Sequence, residues 1–159
     1  DVFTFWDDVA TQQVWMINPD SYVEVINPRQ KRLFEVIRSR NDAALFYHGF
    51  GAVYELIPHL IEIGVDIINP VQVSAEGMDS RRLKAAYGDD IVFWGGGVDT
   101  QKVLPFGTPD EVRDEVKRRI DDFAPGGGFV FATVHNIQAF VPPQNIEAAY
   151  DTALTYGAG

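Results

Sequence analysis

The chain has 159 residues, with 23 acidic against 13 basic side chains and a formal net charge of −10. That size fits one soluble globular domain, and an acidic surface repels phosphate backbones and anionic lipid, so nucleic acid is excluded as the expected partner. There is no cysteine, which excludes disulfides and thiolate ligands and agrees with a reducing, cytoplasmic setting.

No apolar run approaches the roughly 18 residues that a membrane span needs. The N-terminus has neither an initiator Met nor the basic and apolar regions of a signal peptide, so the sequence reads as a chain entered partway along, a fragment. A strand is predicted over residues 2–6. Asn18-Pro19 then reads as an N-cap with proline in the first turn, and Pro28 is expected to divide the stretch to Arg40 into two helices. A second strand follows over 43–47. Val53, Leu56, Ile57, Leu60 and Ile61 form a helical stripe, although Pro58 removes a donor and leaves its first turn open.

A third strand spans 65–68, and Asp79 caps a short helix over 80–87 that Gly88 ends. The fourth strand covers 91–94. Thr108-Pro109-Asp110-Glu111 spells a capping box with proline at the first helical position. Behind it Val112, Val116 and Ile120 share one face. A fifth strand is predicted over 129–134, and Pro142-Pro143 opens the last helix, to about Thr155. Arg81, Arg82, Arg113, Arg118 and Arg119 fall on helices and read as a solvated face.

Most of these strands are nearly continuous apolar runs, as expected of parallel strands buried on both faces. The order is β-α five times over, which permits a doubly wound sheet or a section of a barrel. A complete eight-unit barrel takes about 250 residues, or roughly 30 per unit, so the chain corresponds to five units of an incomplete barrel. Five units alone leave strand edges unpaired, and either a homodimer or a further N-terminal portion is expected to cover them.

Gly49-Phe50-Gly51 supplies two glycines of a dinucleotide loop, but Tyr54 stands where close helix–strand packing needs the third. Position favours another use. His48 falls where a buried strand meets a loop, the ligand-binding side of parallel α/β folds. His135 sits likewise after the fifth strand, Asp99 after the fourth and its triple glycine, and Asp7 and Asp8 after the first. Each could simply close a turn; together they suggest a pocket rim. Gln72, Gln101 and Gln138 follow strand ends and could bond a ligand's polar edge, and Trp6, Trp94, Phe50 and Phe140 could offer flat apolar area. Trp94 is equally explained by core packing, and His59 by helix packing.

The stretches HGFGAVYELIPHLIEIGVDIINPVQ, FWGGGVDTQKVLPFGTPDEV and GGGFVFATVHNIQAFVPPQNI, in that order, resemble the C-terminal part of the uroporphyrinogen decarboxylase superfamily. That superfamily includes the decarboxylase of haem synthesis and corrinoid-dependent methyltransferases. The resemblance implies a (β/α)8 barrel of which this chain supplies the last five units. Strand-end position and the resemblance together lead to expected catalytic roles for His135, His48 and Asp8, with Asp7, Asp99, Phe50, Gln72 and Gln138 expected to bind substrate. The related methyltransferases bind zinc through a His-x-Cys pair and a further cysteine. Here His48 and His135 are the ligands available, while Phe50 occupies the cysteine position, so a third ligand must come from Asp99, Asp8 or outside the chain.

In the decarboxylases an arginine-containing segment and an essential aspartate lie N-terminal to this region, and a serine contacts substrate where Asp8 stands. His135 matches a histidine that the decarboxylases place near substrate. The resemblance therefore implies methyl transfer with a corrinoid as methyl carrier, and a corrinoid protein as partner. Decarboxylation of a tetrapyrrole is the alternative, and a non-catalytic module that binds a tetrapyrrole or corrinoid protein is the second. Asp8 in place of serine, and the GFG and VHNIQ segments, favour the methyltransferase branch.

Overall fold

The computed structural model describes residues 1–157. Strand β1 (Val2–Trp6) leads to Asn18, whose side-chain oxygen accepts the N–H groups of Asp20 and Ser21 at 2.9 and 3.2 Å and starts helix α1 (Pro19–Ser21). Contrary to the sequence expectation, Pro28 does not divide the helical stretch. After α1 the chain makes a π-helical turn over Tyr22–Ile26 and continues as α2 (Asn27–Arg38). Asn27 N–H reaches back five residues to Tyr22 O, and this widened turn accommodates the proline ring and its missing donor without a break.

Next come β2 (Ala44–His48), a 3-10 turn over Tyr54–Leu56, α3 (Ile57–Glu62), β3 (Ile67–Asn69) and α4 (Ser80–Tyr87). Then follow β4 (Val92–Trp94), α5 (Val103–Phe106), α6 (Pro109–Phe123), β5 (Phe129–Val130) and α7 (Pro143–Tyr156). The expected caps are present. Asp79 accepts Arg82 N–H at 2.9 Å, and Thr108 exchanges bonds with Glu111 in a capping box. No helix among the described residues is long and apolar enough to cross a membrane.

The five strands form one parallel sheet in the order β1-β2-β3-β4-β5. Register aligns Phe5, Tyr47, Ile68, Phe93 and Phe129 across it. This row lies on the helix-covered face: Tyr47, Ile68 and Phe93 are fully buried, Phe5 meets Phe34 of α2 edge-on at 5.3 Å, and Phe123 of α6 lies 5.1 Å from Phe93. Burying each such side chain contributes about 1.5–3 kcal/mol. Because side chains alternate along a strand, the neighbouring row of Trp6, His48 and Asn69 points to the opposite face. The outer edge of β1 is unpaired among the described residues, and Val2, Phe3 and Trp6 are exposed there. Five parallel βα units in sequential order are an arc of an incomplete barrel.

β5 ends at Val130 rather than at residue 134. The cause lies in its neighbour, where Gly95 and Gly96 take φ of 115° and 72° and turn the chain after β4 out of strand conformation. Bonds from Gly97 N–H to Ala132 O at 2.9 Å and from Val134 N–H to Val98 O at 3.3 Å then join two loops instead of two strands. Arg119 also departs from expectation. It is buried, donating to Glu115 Oε1 and Ser80 Oγ at 2.8 Å each, so it binds α6 to α4 and is not part of a solvated face.

Candidate functional site

All five strands run the same way, so their C-terminal ends share one rim. At that rim His48, the last residue of β2, places Nδ1 2.6 Å from Asn69 Oδ1 at the end of β3. Asn69 Nδ2 donates in turn to Trp94 O, at the end of β4, at 2.8 Å. Three adjacent strand ends are thereby tied together. Two residues on, the Phe50 ring stands edge-on to His48 with centroids 4.9 Å apart, and lies 5.2 Å from the His135 ring.

The loop that carries Phe50 is pinned from both sides. Asp8 Oδ1 accepts Phe50 N–H at 3.0 Å, and Gln72 Oε1 accepts Gly51 N–H at 3.1 Å. Gly51 has φ of 94°, and a Cβ there would sit 2.3 Å from Thr11 O, so the close approach of these loops requires glycine. Val71, beside Gln72, holds φ of 58° although it is β-branched and buried, and it is the described non-glycine residue in that region.

Two hollows open on this rim. The larger, of about 590 Å³, is bounded by Phe50, Gln72, Thr100, Gln101, His135, Asn136, Gln138 and Phe140 among others, and none of its lining residues is Lys, Arg, Asp or Glu. The smaller, of about 310 Å³, is bounded by His48, Asn69, Thr133 and His135. Phe50, Val134, His135 and Asn136 belong to both and lie where the two adjoin. The lining of the larger hollow can exchange hydrogen bonds through neutral amides and offer apolar contact, a common composition for a ligand cleft.

The structure therefore brings His48, Phe50, Gln72, His135 and Gln138 to one rim, and Asp8 to its edge as a clamp on the Phe50 loop. Asp7 lies elsewhere. Its Oδ2 is 3.5 Å from Nε2 of Gln30, a buried residue of α2, and it lines neither hollow. Burial raises the Asp7 carboxyl above its ordinary range, and the Asp8 charge adds to this. The same apolar surroundings push the phenols of Tyr22 and Tyr47 well up. Asp99 is buried, with Oδ1 accepting Gln101 N–H at 2.9 Å, so it shapes the turn that presents Thr100 and Gln101 to the larger hollow. His135 is exposed, with Nδ1 3.3 Å from Asn136 O. Trp6 is 71% exposed, while Trp94 packs edge-on against Phe46 at 5.4 Å.

Sequence reasoning passed over Asn69, Thr100 and Asn136. Asn69 carried a signal, since an asparagine ending an apolar strand just before Pro70 has a side chain free to bond sideways to the next strand.

For zinc, the residues present do not fit. A catalytic zinc takes three protein ligands as a rule, whereas no three His, Asp or Glu side chains among the described residues come together to hold an ion. The Phe50 ring also stands between the two imidazoles, where a shared ion would have to sit.

Comparison with known proteins identifies the architecture. The uroporphyrinogen decarboxylase of Aromatoleum aromaticum is 33% identical over 75 residues, which are 47% of this chain and 20% of that protein. That of Ralstonia nicotianae is 37% identical over 54 residues, covering 32% of this chain and 15% of its own length. Among solved structures, a methyltransferase from Methanosarcina mazei superposes with a TM-score of 0.75 at 19% identity. It matches 99% of this chain, which spans 43% of the methyltransferase, and at that identity the likeness concerns the fold alone. The family profile described as "Uroporphyrinogen decarboxylase (URO-D)" matches residues 5–156, nearly the whole chain. Five consecutive parallel βα units with a histidine- and amide-bearing C-terminal rim thus have their place: the chain belongs to the uroporphyrinogen decarboxylase family.

Proposed function

We propose that the chain supplies the C-terminal rim of a uroporphyrinogen decarboxylase-family active site and serves methyl transfer to or from a corrinoid. The observation that carries this reading is the lining of the larger hollow, where Gln72, Gln101, Asn136 and Gln138 offer carboxamides and none of the side chains is Arg or Lys. A corrin ring is edged with neutral carboxamides, which pair with amides. A uroporphyrinogen is edged with carboxylates, which need Arg or Lys. Phe50 and Phe140 add flat apolar contact beside those amides. In this reading His48 and His135 orient the smaller reactant in the adjoining hollow, and Asp8 holds the loop that separates the two spaces.

The second reading, decarboxylation of a tetrapyrrole, is favoured by the names of the sequence relatives, which are uroporphyrinogen decarboxylases. It would draw its cations from outside this chain's part of the rim. Calorimetric titration of the purified chain with hydroxocobalamin and with coproporphyrin separates the readings. The proposal expects hydroxocobalamin to bind and Gln101→Ala with Gln138→Ala to weaken it at least tenfold. Coproporphyrin binding without cobalamin binding would overturn it in favour of the second reading. Binding with no turnover in a complete barrel would instead point to a carrier module. In such a barrel His135→Ala is expected to abolish turnover.

A further inference from the structure

The two imidazoles of the rim are held very differently, and the difference fixes which nitrogen of His48 is free. Asn69 Nδ2 lies 2.8 Å from Trp94 O, and that contact is satisfied only if an amide N–H₂ faces the carbonyl. Flipping the amide would set two oxygens against each other. The orientation of Asn69 therefore leaves Oδ1, an acceptor only, 2.6 Å from His48 Nδ1. A short contact to an acceptor requires a donor, so Nδ1 carries the proton. Nε2 makes no hydrogen bond among the described residues, and His48 lines the smaller hollow. The Phe50 ring, at 83° to the imidazole, blocks ring rotation from its side.

We propose that Asn69 is a positioning residue that locks neutral His48 in the Nδ1–H tautomer and leaves Nε2 as the proton acceptor of the smaller hollow. Dissolved imidazole side chains favour the opposite, Nε2–H form, so the site inverts the default. Resting on the reading of this hollow as the reaction space, the inference also names a ligand class: a group presenting an acidic N–H, O–H or S–H. When that proton moves, the X–H bond breaks with its electron pair left on X, and the proton goes to Nε2. The imidazolium keeps its Nδ1–H on Asn69 Oδ1 and later returns the Nε2 proton to water. A carboxylate in the same position would meet a lone pair and be turned away. His135 has no equivalent lock, since its Nδ1 reaches only a neighbouring loop carbonyl at 3.3 Å and the residue is exposed.

The test needs no ligand, so its failure is distinct from failure of the methyl-transfer reading. The chain has three histidines, and labelling them with ¹⁵N gives a spectrum that His48→Gln assigns by subtraction. Two-bond ¹⁵N–¹H correlations recorded at about pH 8.5, about two units above the ordinary imidazole value, report neutral tautomers. His48 is expected with Nδ1–H in excess, by up to about tenfold, the bias one net hydrogen bond imposes. His59, whose side chain makes no hydrogen bond among the described residues, serves as the reference with Nε2–H in excess. Asn69→Ala is expected to move His48 toward the His59 pattern. A wild-type spectrum with His48 as Nε2–H, or an unchanged tautomer in folded Asn69→Ala, overturns the proposal. Should Asn69→Ala fail to fold by circular dichroism, the wild-type spectrum decides alone.

Discussion

Removing the Glu115 carboxylate is expected to destabilise the chain severely and to loosen the cleft with it. The side chains of Glu115 and Arg119 are 5% and 8% exposed and meet at 2.8 Å. Glu115→Ala leaves the Arg119 guanidinium buried beside Ser80 Oγ, with Nε already lacking a partner. Breaking one side of a buried pair in this way costs about 3–5 kcal/mol. Arg118, 59% exposed and 3.3 Å from the same carboxylate, adds at most about 0.5 kcal/mol. The expected loss is therefore about 4 kcal/mol, a large part of the roughly 5–15 kcal/mol that stabilises a domain. Urea unfolding followed by circular dichroism measures it: with a slope of about 1–3 kcal/mol per molar, the midpoint falls by at least about 1 M. Glu115 Oε2 also accepts Asp99 N–H at 3.3 Å, so amide exchange at Thr100 and Gln101 is expected to quicken. A loss below about 1 kcal/mol would refute the claim that this pair is dry and mutually dependent. The double variant Glu115→Leu with Arg119→Met is the counterpart, and it is expected to recover most of the loss because no buried charge remains unpaired.

Other perturbations address single features. Thr108→Ala removes the cap of α6 at a cost of about 1 kcal/mol by thermal or urea unfolding. The Thr108 backbone N–H, and next its hydroxyl, hold the Glu111 carboxyl below its ordinary value of 4.5, so its contribution is present above the unfolded-state pKa and is lost as pH falls through the folded one. An NMR titration of Glu111 should therefore show a depressed midpoint that rises only partway in Thr108→Ala, since the backbone donor stays; no rise would contradict the capping box. Gly51→Ala forces a left-handed backbone costing about 1–2 kcal/mol before any clash with Thr11 O, and the variant should unfold at lower urea and show displaced Gly51 and Gln72 amide resonances. Phe50→Ala should cost less than the roughly 3–5 kcal/mol of a fully buried phenylalanine, because the ring is half-exposed, yet merge the two hollows. Its signature is loss of ring-current shifts on the His48 and His135 ring protons, and unchanged shifts would place Phe50 elsewhere.

Much of the fold was legible because local chemistry and global packing agree. Continuous apolar runs gave five parallel strands, and Asn18, Asp79 and Thr108 cap helices as their side chains dictate. Failures came where a neighbour decides. Pro28 breaks a helix of regular pitch, but the π turn just ahead of it absorbs the ring, and nothing in the local pattern announces that turn. The fifth strand stops early because glycines in the fourth unit, thirty-odd positions away, bend the partner it would have paired with. Arg119 looks solvated on a charged helix, and only the approach of Ser80 from α4 makes it a buried residue.

The rim divides in the same way. Strand-end position was enough to bring His48, His135, Gln72 and Gln138 together, since every C-terminal end of a parallel sheet faces one side. Position alone does not say which way a side chain turns after the strand. Asp7 and Asp99 turn away, toward Gln30 and toward the Gln101 backbone, because each finds a bonding partner there. Asn69 was missed because its importance lies in the two different strands it joins, a relation absent from any window of sequence.

Whether this rim is the ligand-binding face is decided by amide NMR of the chain during titration with hydroxocobalamin. Shifts are expected to concentrate at Gly51, Gln72, Gln101 and Gln138, at the C-terminal ends of the strands. Shifts concentrated at the other end of the sheet, around Asp66, Asp89 and Gly128, would contradict it.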